Sequence, residues 1–160
     1  SAVLTDLYPT LVELCGITGG GKENYLPSDR EIDGVSIAPL LRDDTVIHTE
    51  ESPILHMKRE VVKAIQYTVP VSEVKEKYPD YKFGVLENND YITFKYFEKI
   101  QNDNSAFWDK NRKNWLHILT DDYAENYNRT PVYPTISDEM HEKLDEVQKN
   151  VKENRRGIVQ

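Results

Sequence analysis

Apolar residues near the start of the chain recur at a helical period. Leu7, Leu11, Leu14 and Cys15 stand at i, i+4, i+7 and i+8, which places them on one face of a helix. Asp6 precedes the run as a candidate N-cap, its carboxylate placed to accept from the orphan N–H groups of the first turn. Pro9 falls at the third helical position, where no intrahelical N–H bond is lost, and Gly16 supplies the stop. The device then repeats: Asp33-Gly34 is a turn, Ser36 a candidate cap, and Pro39 again comes three residues on, before Leu40 and Leu41. Ser1 is not an initiator methionine and the first helix begins almost at once, so cover for the Leu7/Leu11/Leu14 face is expected upstream of this chain.

After a polar linker over residues 42–51 the period drops to two. Short strands are predicted at 53–57, 60–69, 82–86, 91–97 and 115–119, the strongest being Tyr91 to Phe97 with Ile92, Phe94 and Tyr96 on one face. Residues 72–81 are charged and fit one helical turn before a loop. Residues 101–114 are a polar loop interrupted by Phe107-Trp108, read as a plug in the core. The helical period returns at 137–154, with Met140, Leu144, Val147 and Val151 on one face and Asp138 and Glu139 near the positive end. Two short helices, four or five strands at hairpin-scale spacing and a terminal helix give an α+β class. Its centre is a small antiparallel sheet of about four strands with the C-terminal helix packed on it.

Composition narrows the partners. A net charge of −8 and a pI near 5.0 exclude the cationic face that nucleic acid requires. Ten tyrosines, four phenylalanines and two tryptophans argue against disorder. No apolar run approaches the roughly 18 residues that a membrane span needs, and no signal segment opens the chain. Cys15 is the single cysteine, so no disulfide forms within the chain. On an apolar helix face it reads as a small buried hydrophobe, the alternatives being a disulfide to another segment or a reactive thiol.

Little of the chain reads as self-contained chemistry. Gly16 to Lys22 fits a phosphate loop until Glu23, which stands where a magnesium-binding Ser or Thr is needed, and it follows a helix instead of a strand. It reads as a flexible Gly-rich loop. Four histidines at 48, 56, 117 and 141 have no metal-site spacing. His48 in the linker and His141 on the terminal helix read as solvated, and His117 as facing away from the core. His56 closes a strand beside Met57-Lys58-Arg59, where a side chain can look into a cleft. Asp43-Asp44 and Asp121-Asp122 lack the calcium-loop pattern, and no serine sits in a nucleophile elbow. Asn128-Arg129-Thr130 is a glycosylation sequon at Asn128.

The literal words at residues 5–41 add to this. Asp6-Leu7-Tyr8-Pro9-Thr10-Leu11-Val12-Glu13-Leu14-Cys15-Gly16, then a loop, then Ile32-Asp33-Gly34-Val35-Ser36-Ile37-Ala38-Pro39-Leu40-Leu41, closely resemble a segment of type I sulfatases. There the phrases read D-[LI]-[FY]-P-T-L-x-x-L-A-G and I-D-G-x-S-L-x-P-L-L. Cys15 stands for the usual Ala and Ile37 for the usual Leu. Pro53 to Met57 with Val62 to Gln66 looks like the family's strand pair ending in A-V-R, with Gln66 in place of Arg. Trp115 to Asn128 looks like L-Y-D-L-x-x-D-P-x-E-x-x-N, with Tyr123 in place of Pro. Residues 68–114 match poorly. The aryl- and steryl-sulfatase branch, which has a His after the linker, resembles the chain most.

The resemblance implies that residues 1–51 are the tail of an alkaline-phosphatase-like α/β catalytic domain and its linker, and residues 52–160 the C-terminal subdomain. It implies hydrolysis of an aryl or steryl sulfate ester by the whole enzyme. The formylglycine nucleophile, made from a Cys in C-x-P-S-R, and the calcium site belong to the missing N-terminal catalytic domain, which is the implied partner. Cys15 is followed by Gly16-Ile17-Thr18, so it is not the modified residue. No catalytic or metal-binding residue is expected within this chain; His56 is expected at the rim of the pocket for a small sulfated substrate. With the Asn128 sequon the resemblance implies the secretory pathway. The other reading is a non-catalytic structural or interaction protein with a sulfatase-derived fold.

Overall fold

The computed structural model describes residues 2–16, 34–43, 48–58, 61–98 and 114–153, which divide between two units, Ser1–Ile54 and Leu55–Gln160. The Gly-rich loop through Lys22, Asp33 of the expected turn and the Phe107-Trp108 pair lie outside the described residues.

In the first unit a 3-10 turn, Leu4–Asp6, leads into helix α1 (Leu7–Leu14), and a second short helix, α2, spans Ala38–Asp43. Asp6 does not cap α1, contrary to the sequence expectation: its side chain makes no hydrogen bond to the first helical turn. Instead Oδ2 accepts the Val3 N–H at 2.8 Å and Oδ1 the Val35 N–H at 3.0 Å. The His48 Nε2 approaches Oδ2 at 2.9 Å, and His48 Nδ1 lies 3.1 Å from the Ser52 carbonyl oxygen. Asp6 is 1% and His48 5% exposed, so the expectation of a solvated His48 is also wrong. This imidazole meets the buried carboxylate. Burial would raise the Asp6 carboxyl, but the Val3 and Val35 N–H groups and His48 outweigh it and hold it below the ordinary value.

The two sequence phrases close on each other at the same place. Thr10 Oγ1 donates to the Asp6 carbonyl and accepts the Ile37 N–H at 2.9 Å. A Cβ on Gly34 would stand 2.0 Å from the Thr5 carbonyl oxygen, so only glycine allows this approach. Ser36 Oγ accepts the Ala38 N–H at 3.2 Å where α2 begins.

These bonds fix which way α1 is rotated. Pro9, Thr10 and Val12 are buried, whereas Leu7, Leu11 and Leu14 are each about half exposed and Leu4 more so. Cys15 is exposed rather than buried, because it shares the outward Leu face. Gly16 ends the helix at φ +69°, its N–H bonding the Glu13 carbonyl at 2.9 Å.

The second unit is α+β, with a four-stranded antiparallel sheet in the order β1 (Ile54–Lys58), β2 (Val61–Pro70), β3 (Tyr91–Glu98), β4 (Asn114–Ile118). Register aligns Ile65, Tyr67 and Val69 of β2 with Tyr96, Phe94 and Ile92 of β3, and sets Leu116 and Ile118 of β4 opposite Tyr96 and Phe94. The apolar face so formed packs on Ile136, Met140 and Leu144 of the terminal helix α4 (Pro134–Glu153), with Val147 and Val151 at the margin. Pro134 takes the first helical position, where its missing N–H costs nothing. Helix α3 (Val71–Lys77) and a 3-10 turn, Gly84–Asn88, connect β2 to β3.

The strand expected over residues 82–86 is absent. Gly84 takes φ +59°, a left-handed conformation outside any strand, and Phe83 turns inward to stack on Tyr133 at 5.2 Å. Tyr81 crosses Tyr133 edge-on at 5.3 Å and exchanges hydrogen bonds with Thr135, tying this connection to the start of α4.

The outer edge of β4 is closed without another strand. Asn128 Oδ1 and Thr130 Oγ1 both accept the Leu116 N–H, at 3.2 and 3.1 Å. Asn128 Nδ2 and Thr130 Oγ1 donate to the Asn114 carbonyl, each at 3.3 Å, and the Arg129 N–H donates to the Leu116 carbonyl at 2.7 Å. Two side chains and one peptide thus occupy the positions that a fifth strand would fill, which blunts the edge.

Candidate functional site

The sheet face opposite α4 carries the second unit's polar cluster. Strand alternation sends Gln66 of β2, Lys95 of β3 and His117 of β4 to this face, and the register sets Gln66 opposite Lys95 and Lys95 opposite His117. One neighbouring row is Ala64, Phe97 and Trp115; the other pairs Thr68 with Thr93, whose hydroxyls lie 2.9 Å apart. His56, from β1, extends the polar row at its near end: its Nε2 lies 3.2 Å from Gln66 Oε1.

Each charge in the row is answered locally. Lys95 Nζ lies 2.7 Å from Glu125 Oε1 and 4.8 Å from the centre of the Phe97 ring. Glu125 holds φ 56°, a left-handed conformation costing a non-glycine residue about 1–2 kcal/mol, and its N–H bonds the Asp122 carbonyl at 3.0 Å. Asp122 Oδ2 accepts the Tyr127 N–H at 2.7 Å and Oδ1 the Asn126 amide at 3.3 Å. Burial pushes the Asp122 carboxyl up, but these bonds and nearby His117 overcome it and leave it below its ordinary value.

His117 is 2% exposed. It does face away from the α4 core, as its alternation with Leu116 and Ile118 predicts, but this second face is covered too. Phe97 meets its ring edge-on at 5.7 Å and Trp115 lies 5.6 Å away. Its Nδ1 is 3.9 Å from Asp122 Oδ2, too long for a hydrogen bond. Burial, helped by Lys95 and resisted by Glu125 and Asp122, lowers its proton affinity and so favours the neutral ring. His56 is displaced in the same direction, by burial first and then by Lys95, with Gln66 and Glu125 opposing.

Of the residues singled out from sequence, His56 therefore lies in the cluster, bonded to Gln66. Asn128 lies on the β4 edge, where a sugar on Nδ2 would have to share that nitrogen with the Asn114 carbonyl. His141 is half-exposed on α4, its ring 5.9 Å from that of Tyr96 and its Nε2 3.8 Å from Asp145, so it is not simply solvated. The sequence reading did not assign Gln66, Lys95, His117 or Glu125 to a site. Alternation assigns the first three to the correct face, but only the register brings them into one row.

The cluster can place a neutral imidazole at the end of a buried polar row. Among the described residues no group of three or more His, Cys, Asp and Glu side chains could hold a metal ion. Also among the described residues, no helix is long and apolar enough to cross a membrane. No protein-family model matches the chain, and no curated protein matches it either.

Proposed function

We propose that the chain is the C-terminal portion of a sulfatase, whose complete polypeptide hydrolyses an aryl or steryl sulfate ester. One observation carries the reading. Of the polar and glycine positions shared with the sulfatase phrases, Asp6, Thr10 and Gly34 make the contacts that close those phrases on each other, and Ser36 accepts the Ala38 N–H where α2 begins. A shared pattern whose letters coincide with its tertiary contacts has a physical reason to be shared. The four-stranded sheet under a C-terminal helix is compatible with the subdomain that the resemblance implies.

In this reading the first unit is the edge of an alkaline-phosphatase-like catalytic domain. The open Leu4, Leu7, Leu11 and Leu14 stripe is where the body of that domain packs. That body supplies the formylglycine nucleophile and calcium; this chain supplies a cleft wall at His56 and is inactive alone. The acidic surface disfavours a polyanionic substrate. The resemblance, with the Asn128 sequon, supports a secretory-pathway location for the enzyme. Assay of the isolated chain with an aryl sulfate tests the division of labour: no turnover is expected, and metal-dependent turnover would overturn it. In the full enzyme His56→Ala should change substrate preference more than metal affinity; unchanged kinetics on every ester tried would remove His56 from the pocket.

The same open stripe supports a second reading, a non-catalytic interaction protein that binds a partner there. A C-x-P-S-R segment upstream in the native polypeptide favours the enzyme, and its absence the interaction protein.

A further inference from the structure

His56 has one ring nitrogen committed and one open. Nε2 faces Gln66 Oε1, a carbonyl oxygen that can only accept, so Nε2 must carry the proton. Gln66 is 7% exposed and sits on the second strand of the sheet, directly opposite Lys95, so the acceptor is held in place. Nδ1 has no hydrogen-bond partner among the described residues. A second proton there would put a cation into a half-buried site that already contains the Lys95 ammonium, itself 13% exposed. Glu125 is the facing carboxylate, and Lys95 engages it at 2.7 Å. The ring thus offers a lone pair at Nδ1 and no positive charge.

We propose that Gln66 and Lys95 are positioning residues that hold His56 as the neutral, Nε2-protonated tautomer, so that Nδ1 accepts a hydrogen bond from a hydroxyl or N–H on the uncharged portion of a ligand. An anionic sulfate group, an acceptor only, finds nothing to bind at that nitrogen. The ligand half of this inference rests on the reading of His56 as pocket rim; the tautomer half does not. For a sulfatase it assigns His56 to the alcohol side of the ester, where it would discriminate between substrates differing in one donor group.

Nitrogen-15 NMR of the histidine rings in this chain, followed across pH and assigned with His56→Ala, reads the tautomer directly. The expected result is a protonated Nε2 and a lone pair on Nδ1, with titration displaced to acid. Lys95→Met should shift that midpoint upward, and Gln66→Leu should turn the single tautomer into a mixture. Gln66→Glu, which keeps the shape and adds a charge, should favour the doubly protonated ring. A residue serving only to pack the sheet would alter none of these. A protonated Nδ1 in the neutral ring, or titration undisplaced in the wild type, overturns the proposal. In the full enzyme, two esters differing by one hydroxyl should be distinguished roughly two- to tenfold in kcat/KM, and Gln66→Leu or Lys95→Met should erase the difference. If the NMR result holds and no such discrimination exists, the positioning stands and the ligand assignment falls; the rim reading falls only if His56→Ala also leaves the kinetics on every ester unchanged.

Discussion

Asp6 and His48, 42 residues apart in the chain, meet at 2.9 Å in the interior of the first unit. The carboxylate also holds the N–H groups of Val3 and Val35, so one side chain joins three separate stretches. Removing one member of a buried hydrogen-bonded pair leaves the other short of a partner, at about 1–3 kcal/mol. His48→Ala should therefore expose the Val35 N–H to hydrogen exchange while leaving the amides of β3 protected. Equal loss of protection in both places would show that the pair does more than hold the first unit.

Acid should release the same hub. The Asp6 carboxyl is lower in the folded chain than its ordinary 3.8, so its contribution to stability is fully present above that value. It is lost as pH falls through the depressed folded value. Val35 protection measured down an acid series should fail in that range, and Asp6→Asn should start weaker and lose the pH dependence.

Gly34→Ala tests the closure of the two phrases. The added Cβ would lie 2.0 Å from the Thr5 carbonyl oxygen, which is backbone and cannot swing away. A cost of about 3 kcal/mol or more is expected, at the upper end of overpacking, read as lost protection at Val35 and Ile37. A neutral substitution would mean that the segments do not meet.

In the second unit acid acts through His117. A histidine whose folded proton affinity is lowered resists protonation, so the unfolded chain binds more protons and stability falls as pH drops below about 6.5. His56 and Asp122 add in the same direction, Asp122 at lower pH. His117→Phe should flatten the dependence of denaturation midpoint on pH just below 6.5 without lowering the midpoint at pH 8. A slope that survives the substitution would assign the effect to His56.

Tyr96 points a hydroxyl into the core with no hydrogen-bond partner among the described residues, and burial pushes its phenol far up. Tyr96→Phe removes an unpaired buried group and should leave stability unchanged or raise it by about 1 kcal/mol. Asn128→Ala is the opposite case. It takes one of two partners from each of Leu116 and Asn114, Thr130 remaining to both, and should cost about 0.5–1.5 kcal/mol. Both are read by chemical denaturation.

Periodicity alone placed most elements. The alternation Ile92, Phe94, Tyr96 and the helical spacing Met140, Leu144 each mark an apolar face, and these faces meet in the core. It misled at Cys15, which shares the open Leu7, Leu11 and Leu14 face and is exposed, because Thr10 and Asp6, polar residues in backbone hydrogen bonds, decide the rotation of α1. A buried Asp–His contact 42 residues apart has no local signature, so His48 read as solvated. Residues 82–86 read as a strand because a β-like composition hides the left-handed turn at Gly84. His56 was visible as a strand-end histidine; Gln66 and Lys95 beside it needed the register.

The measurement that bears most directly on the central reading is peptide mapping by mass spectrometry of the native polypeptide that contains this chain. The sulfatase reading predicts a C-x-P-S-R peptide N-terminal to Asp6 in which the cysteine has been converted to formylglycine. A polypeptide fully mapped from its first residue and carrying no such peptide would contradict it, and would leave the fold and its open leucine stripe to an interaction protein.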